Sequence, residues 1–424
     1  MGTLPTLYAT TGADVESGTT EPAGCGRSGA HPSASRPLRS RTMRLRRRTC
    51  GTRANDWPTS SSTCSDAVTY ATNHLLVHSS TCTEKIATTM GNRSSSANDN
   101  RPPVPDNWNA SGIPTQKGRT VIVTGANSGI GFETALELAR NGADVVLACR
   151  NEGRGKEAEQ KLREALNSTA DAGSVEFKML DVSDLGSVNK FADEFKATHD
   201  RLDLLINNAG VMAVPYAKTV DGYERQFATN HLGHFVLTAQ LFPLLRQSAP
   251  SRVVNVSSLA HLSAKLEPFT TGPRIMRSDD KGYSASEVYA ESKLCNLLFT
   301  FELTRRLKAQ NVSGVTSVVA HPGFTATNLM GPPSSEGGWL SRLLWRVGGL
   351  LPVLQDAPTG ALPTLYAATA LDVESDDYYG PDNYFEIWGP PKRVQAKATA
   401  HDKVAAQNLW EESERLAKVK FDVQ

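Results

Sequence analysis

From Thr120 onward, short β-branched runs alternate with longer stretches of helical periodicity, an order that few folds can accommodate. Strands that return in one direction through intervening helices build a parallel sheet with helices on both faces. Thr120 to Val123, Val145 to Ala148, Val175 to Leu180, Leu204 to Ile206, Val253 to Val256 and Val315 to Val319 read as strands, and Gly129 to Asn141 as a crossover helix. The strands are hydrophobic almost without interruption, so both of their faces are expected to be buried in a doubly wound α/β sheet. Hydrophobic residues make up 39% and charged residues 21% of the chain, and the formal net charge is +1. That balance implies neither a nucleic-acid partner nor a wholly disordered chain. No run approaches the roughly 18 apolar residues of a membrane span, and the first thirty residues lack a secretory layout. A cytoplasmic or peripheral-membrane setting is expected.

The region upstream reads differently. Residues 1–105 are rich in Ser, Thr, Arg, Asn and Pro without a periodic core, and are expected to be mostly disordered, followed by one domain over 107–421. Nine arginines and no acid lie between Ala23 and Asn55, which reads as a solvated basic tail, with an organelle-targeting leader or a nucleic-acid patch as the alternatives. Asp14, Glu16 and Glu21 precede that stretch and weigh against a leader. Gly2 to Ser17 repeats Gly360 to Ser375 at twelve of sixteen positions, as a misassembled or partly duplicated gene would, and Met90 is then a candidate start. Cys25, Cys50, Cys64 and Cys82 are scattered through the polar segment, whereas Cys149 and Cys295 sit in apolar stretches. No CxxC pair appears, and His74 and His78 lack neighbouring acid or thiol ligands, so no metal site is expected.

The first turn of the alternating region, Thr124 to Gly131 (TGANSGIG), stands between a strand and an amphipathic helix. Gly125 permits a tight turn, Gly129 lets the backbone approach a pyrophosphate, and Gly131 allows close packing, with the helix N-terminus aimed at the anion. Asn127, Ser128 and Ile130 complete the turn. At the end of the second strand, where an NAD enzyme offers a carboxylate to the adenosine ribose, stands Arg150 between Cys149 and Asn151. A guanidinium suits a 2′-phosphate that an acid would repel, so NADP(H) is expected in preference to NAD(H). Further on, Tyr289-Ala290-Glu291-Ser292-Lys293 puts a phenol and an ammonium on one helix face at i,i+4 spacing. A free tyrosine titrates near ~10, so action as a base at neutral pH requires a downward shift of about 3 units. Positive charge from Lys293 and an oxidised nicotinamide would favour that phenolate.

The GxxxGxG spacing of Gly125, Gly129 and Gly131 resembles the cofactor turn of the short-chain dehydrogenase/reductase family, and other segments follow in the same order over roughly Asn107 to Phe421. The resemblance implies a single Rossmann-type doubly wound sheet with flanking helices. It assigns Asp181 and Val182 to adenine, and Asn208, Ala209 and Gly210, within Asn207-Asn208-Ala209-Gly210, to the cofactor groove. Pro322, Gly323 and Thr325, with Thr327 beyond, resemble the segment beside the nicotinamide. Tyr289 is implied as the general acid/base and Lys293 as the holder of the ribose hydroxyls. Ser258, rather than Ser257, would bond the substrate oxygen, and Asn230 would hold a helix kink and a water leading to Lys293.

The stretches VVNVSSLAH and ESKLCNLLF most resemble the retinol-dehydrogenase-like subgroup, which implies an apolar alcohol, aldehyde or ketone as substrate. The loop from Ala260 to Ser286 is expected to form one wall of the pocket, and the Trp- and Leu-rich Gly337 to Leu354 the other. The latter segment reads as a lid, a dimer contact or a membrane-touching surface. Homodimerisation through the helices bearing Asn230 and Tyr289 is implied by the family. The alternative in another class is a non-catalytic NADP-binding sensor or scaffold, against which stands the presence of both Tyr289 and Lys293. Nucleotide-sugar epimerases also use a YxxxK pair, but with another glycine spacing.

Overall fold

A computed structural model describes residues 101–270, 281–325, 355–383 and 385–423. The N-terminal repeat, the basic stretch, the four upstream cysteines, His74, His78, Met90, Thr327 and the 337–354 segment lie outside the described residues.

The sheet has eight strands: β1 (Thr120–Thr124), β2 (Asp144–Cys149), β3 (Val175–Met179), β4 (Leu204–Asn207), β5 (Ser251–Val256), β6 (Val315–Ala320), β7 (Tyr378–Asn383) and β8 (Trp388–Arg393). Their spatial order is β3-β2-β1-β4-β5-β6-β7-β8, parallel throughout except for β8, which runs antiparallel to β7. All five residues of β1 are buried. Val121 and Val123 belong to the core on one face and Ile122 to the core on the other, as the two-residue side-chain period requires. Helices α1 (Gly129–Arg140), α2 (Glu152–Leu166) and α6 (Ala357–Thr369) cover the first face through Leu138, Leu162 and Leu365. Helices α3 (Leu185–Thr198), α4 (Gly233–Gln247) and α5 (Ala285–Ala309) cover the second through Phe191, Phe235 and Phe299. A final helix, α7 (Lys403–Ala417), packs Trp410 onto Phe421 at 4.7 Å between ring centroids. This is the Rossmann-type doubly wound arrangement.

Local chemistry sets the helix starts. Asn151 accepts the Arg154 amide at 2.9 Å to open α2, Asp184 accepts those of Gly186 and Ser187 to open α3, and Ser284 caps α5. Ser128, before α1, makes no side-chain cap bond, so the first amides of that helix remain directed into the cleft described below. The strand order reverses between β1 and β4, the position at which open α/β sheets bind ligands beyond their strand ends.

Two features differ from the sequence reading. The loop between β5 and α5 contains helical turns at Leu259–Ser263 and Glu267–Thr270, while residues 271–280 lie outside the described set. Packing also begins upstream of residue 107. Arg101 makes paired bonds of 3.0 and 2.9 Å to Asp377, and Val104 is buried in the first core. Replacing Arg101 with alanine removes a bidentate partner from a nearly buried carboxylate. The expected loss is about 2 kcal/mol in the unfolding free energy of the full chain, measured by urea titration; an unchanged midpoint would mean the N-terminal strap contributes nothing.

Candidate active site

A cleft runs across the C-terminal ends of the parallel strands. Gly125, Asn127, Ser128, Gly129, Ile130 and Gly131 line it after β1, Arg150 after β2, and Asp181 and Val182 after β3. Asn208, Ala209 and Gly210 line it after β4, Pro322 after β6, and Tyr289 and Lys293 from α5. Gly323, Thr325, Asn230 and Ser258 are not among its lining residues. Ser257 lines the cleft instead of its neighbour, yet the Ser257 hydroxyl is committed to the Lys293 carbonyl at 2.8 Å. Asn151 and Arg154 also line it, and the sequence reading did not single them out as site residues. Their signal was the position of Arg154 one helical turn beyond Arg150, at the start of α2.

The cleft has the shape of an anion cradle. Gly125 has φ 69°, and a Cβ on it would stand 3.0 Å from Ala209 Cα. A Cβ on Gly131 would stand 2.6 Å from the Gly125 carbonyl and 2.5 Å from Asn208 Nδ2, so a side chain there would force the turn open. The free α1 amides and this absence of side chains fit a pyrophosphate. Near the other strand ends, Arg150 is more than half exposed and its Nε is 3.9 Å from Asp181 Oδ2. Asp181 is itself engaged by the Ser183 amide at 2.9 Å and the Ser183 hydroxyl at 2.6 Å.

Where α5 borders the cleft, Tyr289 and Lys293 lie on one face of the helix, with Nζ 5.8 Å from the phenol ring centroid. Lys293 Nζ donates to the Val256 carbonyl at 3.0 Å. Burial pulls its pKa down to about 8. Burial raises that of Tyr289, and the nearby Ser258 hydroxyl opposes the rise. The direction is the reverse of the one a phenolate base requires, because the low-dielectric surroundings outweigh the stabilising contact. Ser258 also caps the turn that follows it by accepting the Ala260 amide at 3.2 Å.

Asn230 is completely buried in a π-helical segment, Ala228–Leu232, that leads into α4. Its Oδ1 accepts the Val211 amide at 2.8 Å, and its Nδ2 donates to the Val211 carbonyl at 3.0 Å and the Ser292 hydroxyl at 2.9 Å. A methyl on Gly210 would sit 3.2 Å from Asn230 Oδ1 and 3.6 Å from Lys293 Nζ, so the space between those groups exists only because Gly210 has no side chain. One turn along α4, His234 places Nε2 2.9 Å from Thr124 Oγ1 and Nδ1 3.3 Å from the Asn230 carbonyl. Burial holds His234 neutral, at about 4. Neighbouring His231, at about 3, is kept neutral in the same way.

A glycine cradle at the sheet's switch point, ending in a buried Tyr-Lys pair, defines a dinucleotide-dependent oxidoreductase. The model of the short chain dehydrogenase family matches residues 119–267. Retinol dehydrogenase 12 of Mus musculus is 39% identical over 307 residues, covering 72% of this chain and 88% of that protein. Retinol dehydrogenase 13 of Homo sapiens is 40% identical over 304 residues, covering 71% and 85%. The crystal structure of an uncharacterized protein from Mycobacterium paratuberculosis superposes with a TM-score of 0.57 at 40% identity, covering 74% of this chain and 99% of that one. The chain belongs to the short-chain dehydrogenase family, in its retinol-dehydrogenase-like group, and is an NAD(P)-dependent dehydrogenase/reductase.

His234 provides a test in acid. Its folded-state pKa is about 4 against an unfolded value of 6.5, so the unfolded chain binds the extra proton between those limits. Stability from this group is therefore complete above pH 6.5 and falls as the pH drops towards 4. Between pH 6 and 4.5, the unfolding free energy of a His234→Gln variant should depend on pH less steeply than that of the wild type, by about 1.4 kcal/mol per pH unit. Superimposable slopes would mean that His234 is not a buried neutral group.

Proposed function

We propose that the chain is an NADP(H)-dependent oxidoreductase that interconverts an apolar alcohol and its aldehyde or ketone, with Tyr289 as the general acid/base. The observation that carries this reading is the buried Tyr289-Lys293 face at the end of a cleft whose opposite end holds two arginines. The domain over 107–421 does this work, and residues 1–105 take no part in the chemistry.

Arg150 and Arg154 would hold the adenosine 2′-phosphate, and the α1 N-terminus the pyrophosphate. The cofactor supplies the hydride when bound. Lys293 spends one of its three N–H groups on the Val256 carbonyl, leaving two for ribose hydroxyls. Ser258, beside the phenol, holds the substrate oxygen as its charge develops. Tyr289, kept protonated by burial, then delivers its proton to that oxygen during carbonyl reduction. In oxidation the deprotonated phenolate of Tyr289 would take the alcohol proton, and forming that phenolate needs the positive charge of Lys293 and of the oxidised nicotinamide to offset burial.

An apolar substrate is supported by the relatives named for retinol, a long hydrophobic alcohol, and by Phe324, which stays 50% exposed directly after Pro322-Gly323.

The test is NADPH oxidation by the full chain against retinoid, steroid, aliphatic and quinone carbonyls. Tyr289→Phe should lower kcat by about a thousandfold while NADPH still binds; equal turnover on every reactive substrate would remove Tyr289 from the mechanism. Separately, the Arg150→Asp, Arg154→Asp double variant should lose about a hundredfold in kcat/KM for NADPH while NADH is affected little. Undiminished preference for NADPH in that variant would overturn the cofactor assignment.

A further inference from the structure

Strand β6 leaves the sheet at His321, whose imidazole is wholly buried. A Cβ on Gly380 of β7 would stand 2.0 Å from His321 Nε2, so the neighbouring strand makes room for the ring. The Gly323 amide donates to His321 Nδ1 at 3.2 Å, which leaves the ring proton on the other nitrogen. That nitrogen, Nε2, donates to Glu386 Oε2 at 3.1 Å.

Glu386 lies in the turn joining β7 to β8, where Phe385 and Glu386 take successive φ values of 58° and 64°. Left-handed pairs in hairpin turns are ordinarily filled by Asn and Gly, because a larger side chain crowds the backbone there. Here the strained position carries a carboxylate that reaches His321, and strain of this kind marks places where surrounding contacts over-determine the backbone. The turn also presses on the β6 exit. The Phe324 amide donates to the Ile387 carbonyl at 2.8 Å, and a Cβ on Gly323 would stand 2.2 Å from that oxygen. A second route runs from β8: the Gly389 amide donates to Gln355 Oε1 at 3.2 Å, and Gln355 Nε2 donates to the Pro322 carbonyl. The Thr325 hydroxyl reaches the same carbonyl at 3.0 Å.

We propose that His321 and Glu386 are a positioning pair through which the edge hairpin fixes the Pro322-Gly323 turn at the reacting end of the cleft. Neither residue is among those that line the cleft. The imidazole holds the Gly323 amide, and the carboxylate holds the imidazole in the tautomer that can do so. Because Pro322 lines the cleft beside Tyr289 and Lys293 while Arg150 lies at the other end, the pair governs only the nicotinamide half of the site. This last consequence rests on the reading of the cleft as an NADP(H) site.

The test uses the full chain as wild type, Glu386→Gln, which keeps an acceptor oxygen, and Glu386→Ala, which does not. Amide hydrogen exchange of the peptide spanning 321–325 is followed without cofactor, with the β1 peptide as a control for global opening. Binding of NADPH and of adenosine 2′,5′-bisphosphate is titrated by fluorescence and calorimetry. Glu386→Ala should speed exchange in 321–325 by about tenfold and leave β1 unchanged. It should also weaken NADPH by about tenfold and the bisphosphate by no more than roughly twofold, with Glu386→Gln close to wild type. Unchanged exchange in 321–325, exchange that rises equally in β1, or equal losses of both ligands would overturn the pair. If wild type itself binds no NADPH, the cofactor reading fails, and the exchange rates alone decide whether Glu386 holds the turn.

Discussion

One hydroxyl at the end of β1 ties together the three parts of the site. Thr124 Oγ1 accepts the amides of Asn208 and Ala209, both at 2.9 Å, and faces His234 Nε2 at the same distance. A hydroxyl with two incoming amides has its own proton left to give, and neutral His234 is positioned to take it while Nδ1 donates to the Asn230 carbonyl. Strand β1, the segment after β4 and the start of α4 thus meet at a point where every donor has an acceptor. A protonated imidazole would bring N–H against O–H and break that balance, which is why complete burial of the ring matters as much as its placement.

From the same helix a second set of bonds crosses the core to Lys293. Thr238 donates to the His234 carbonyl, Asn207 donates to Thr238 and Asn255, and Asn255 donates to Thr300 on α5. Thr300 returns its proton to the Asn296 carbonyl, and Asn296 Nδ2 shares the Val256 carbonyl with Lys293. These side chains are almost fully buried, so each leaves its partner short if removed. Lys293 is consequently aimed by residues drawn from β4, β5, α4 and α5 rather than by its own helix alone.

Much of this was legible beforehand because it depends on local order. Six of the seven parallel strands were legible as short, mostly hydrophobic runs alternating with helical stretches, and the glycine turn through its place between strand and helix. The helical i,i+4 spacing placed Tyr289 and Lys293 on one face. What could not be read were partnerships across long sequence separations. Nothing in the local sequence marks His234, or strands β7 and β8 with their Gly380, Pro381, Gly389, Pro390 and Pro391. Spacing also cannot reveal dielectric surroundings, so the upward shift of Tyr289 emerged only once its burial was known. The split between Ser257 and Ser258 depends on strand pleat: adjacent residues point to opposite sides, and one hydroxyl goes to the Lys293 carbonyl while the other stands near the phenol.

The antiparallel β8 strand terminates the sheet with two successive prolines, Pro390 and Pro391. Neither has an amide hydrogen to offer, so a further strand approaching this margin meets a broken ladder. The opposite margin, β3, carries Glu176 and Lys178 with the half-exposed Met179 at its end. Charge on one border and imino acids on the other discourage chains from zipping together border to border, which shields the hydrophobic strands between them from pairing with another chain.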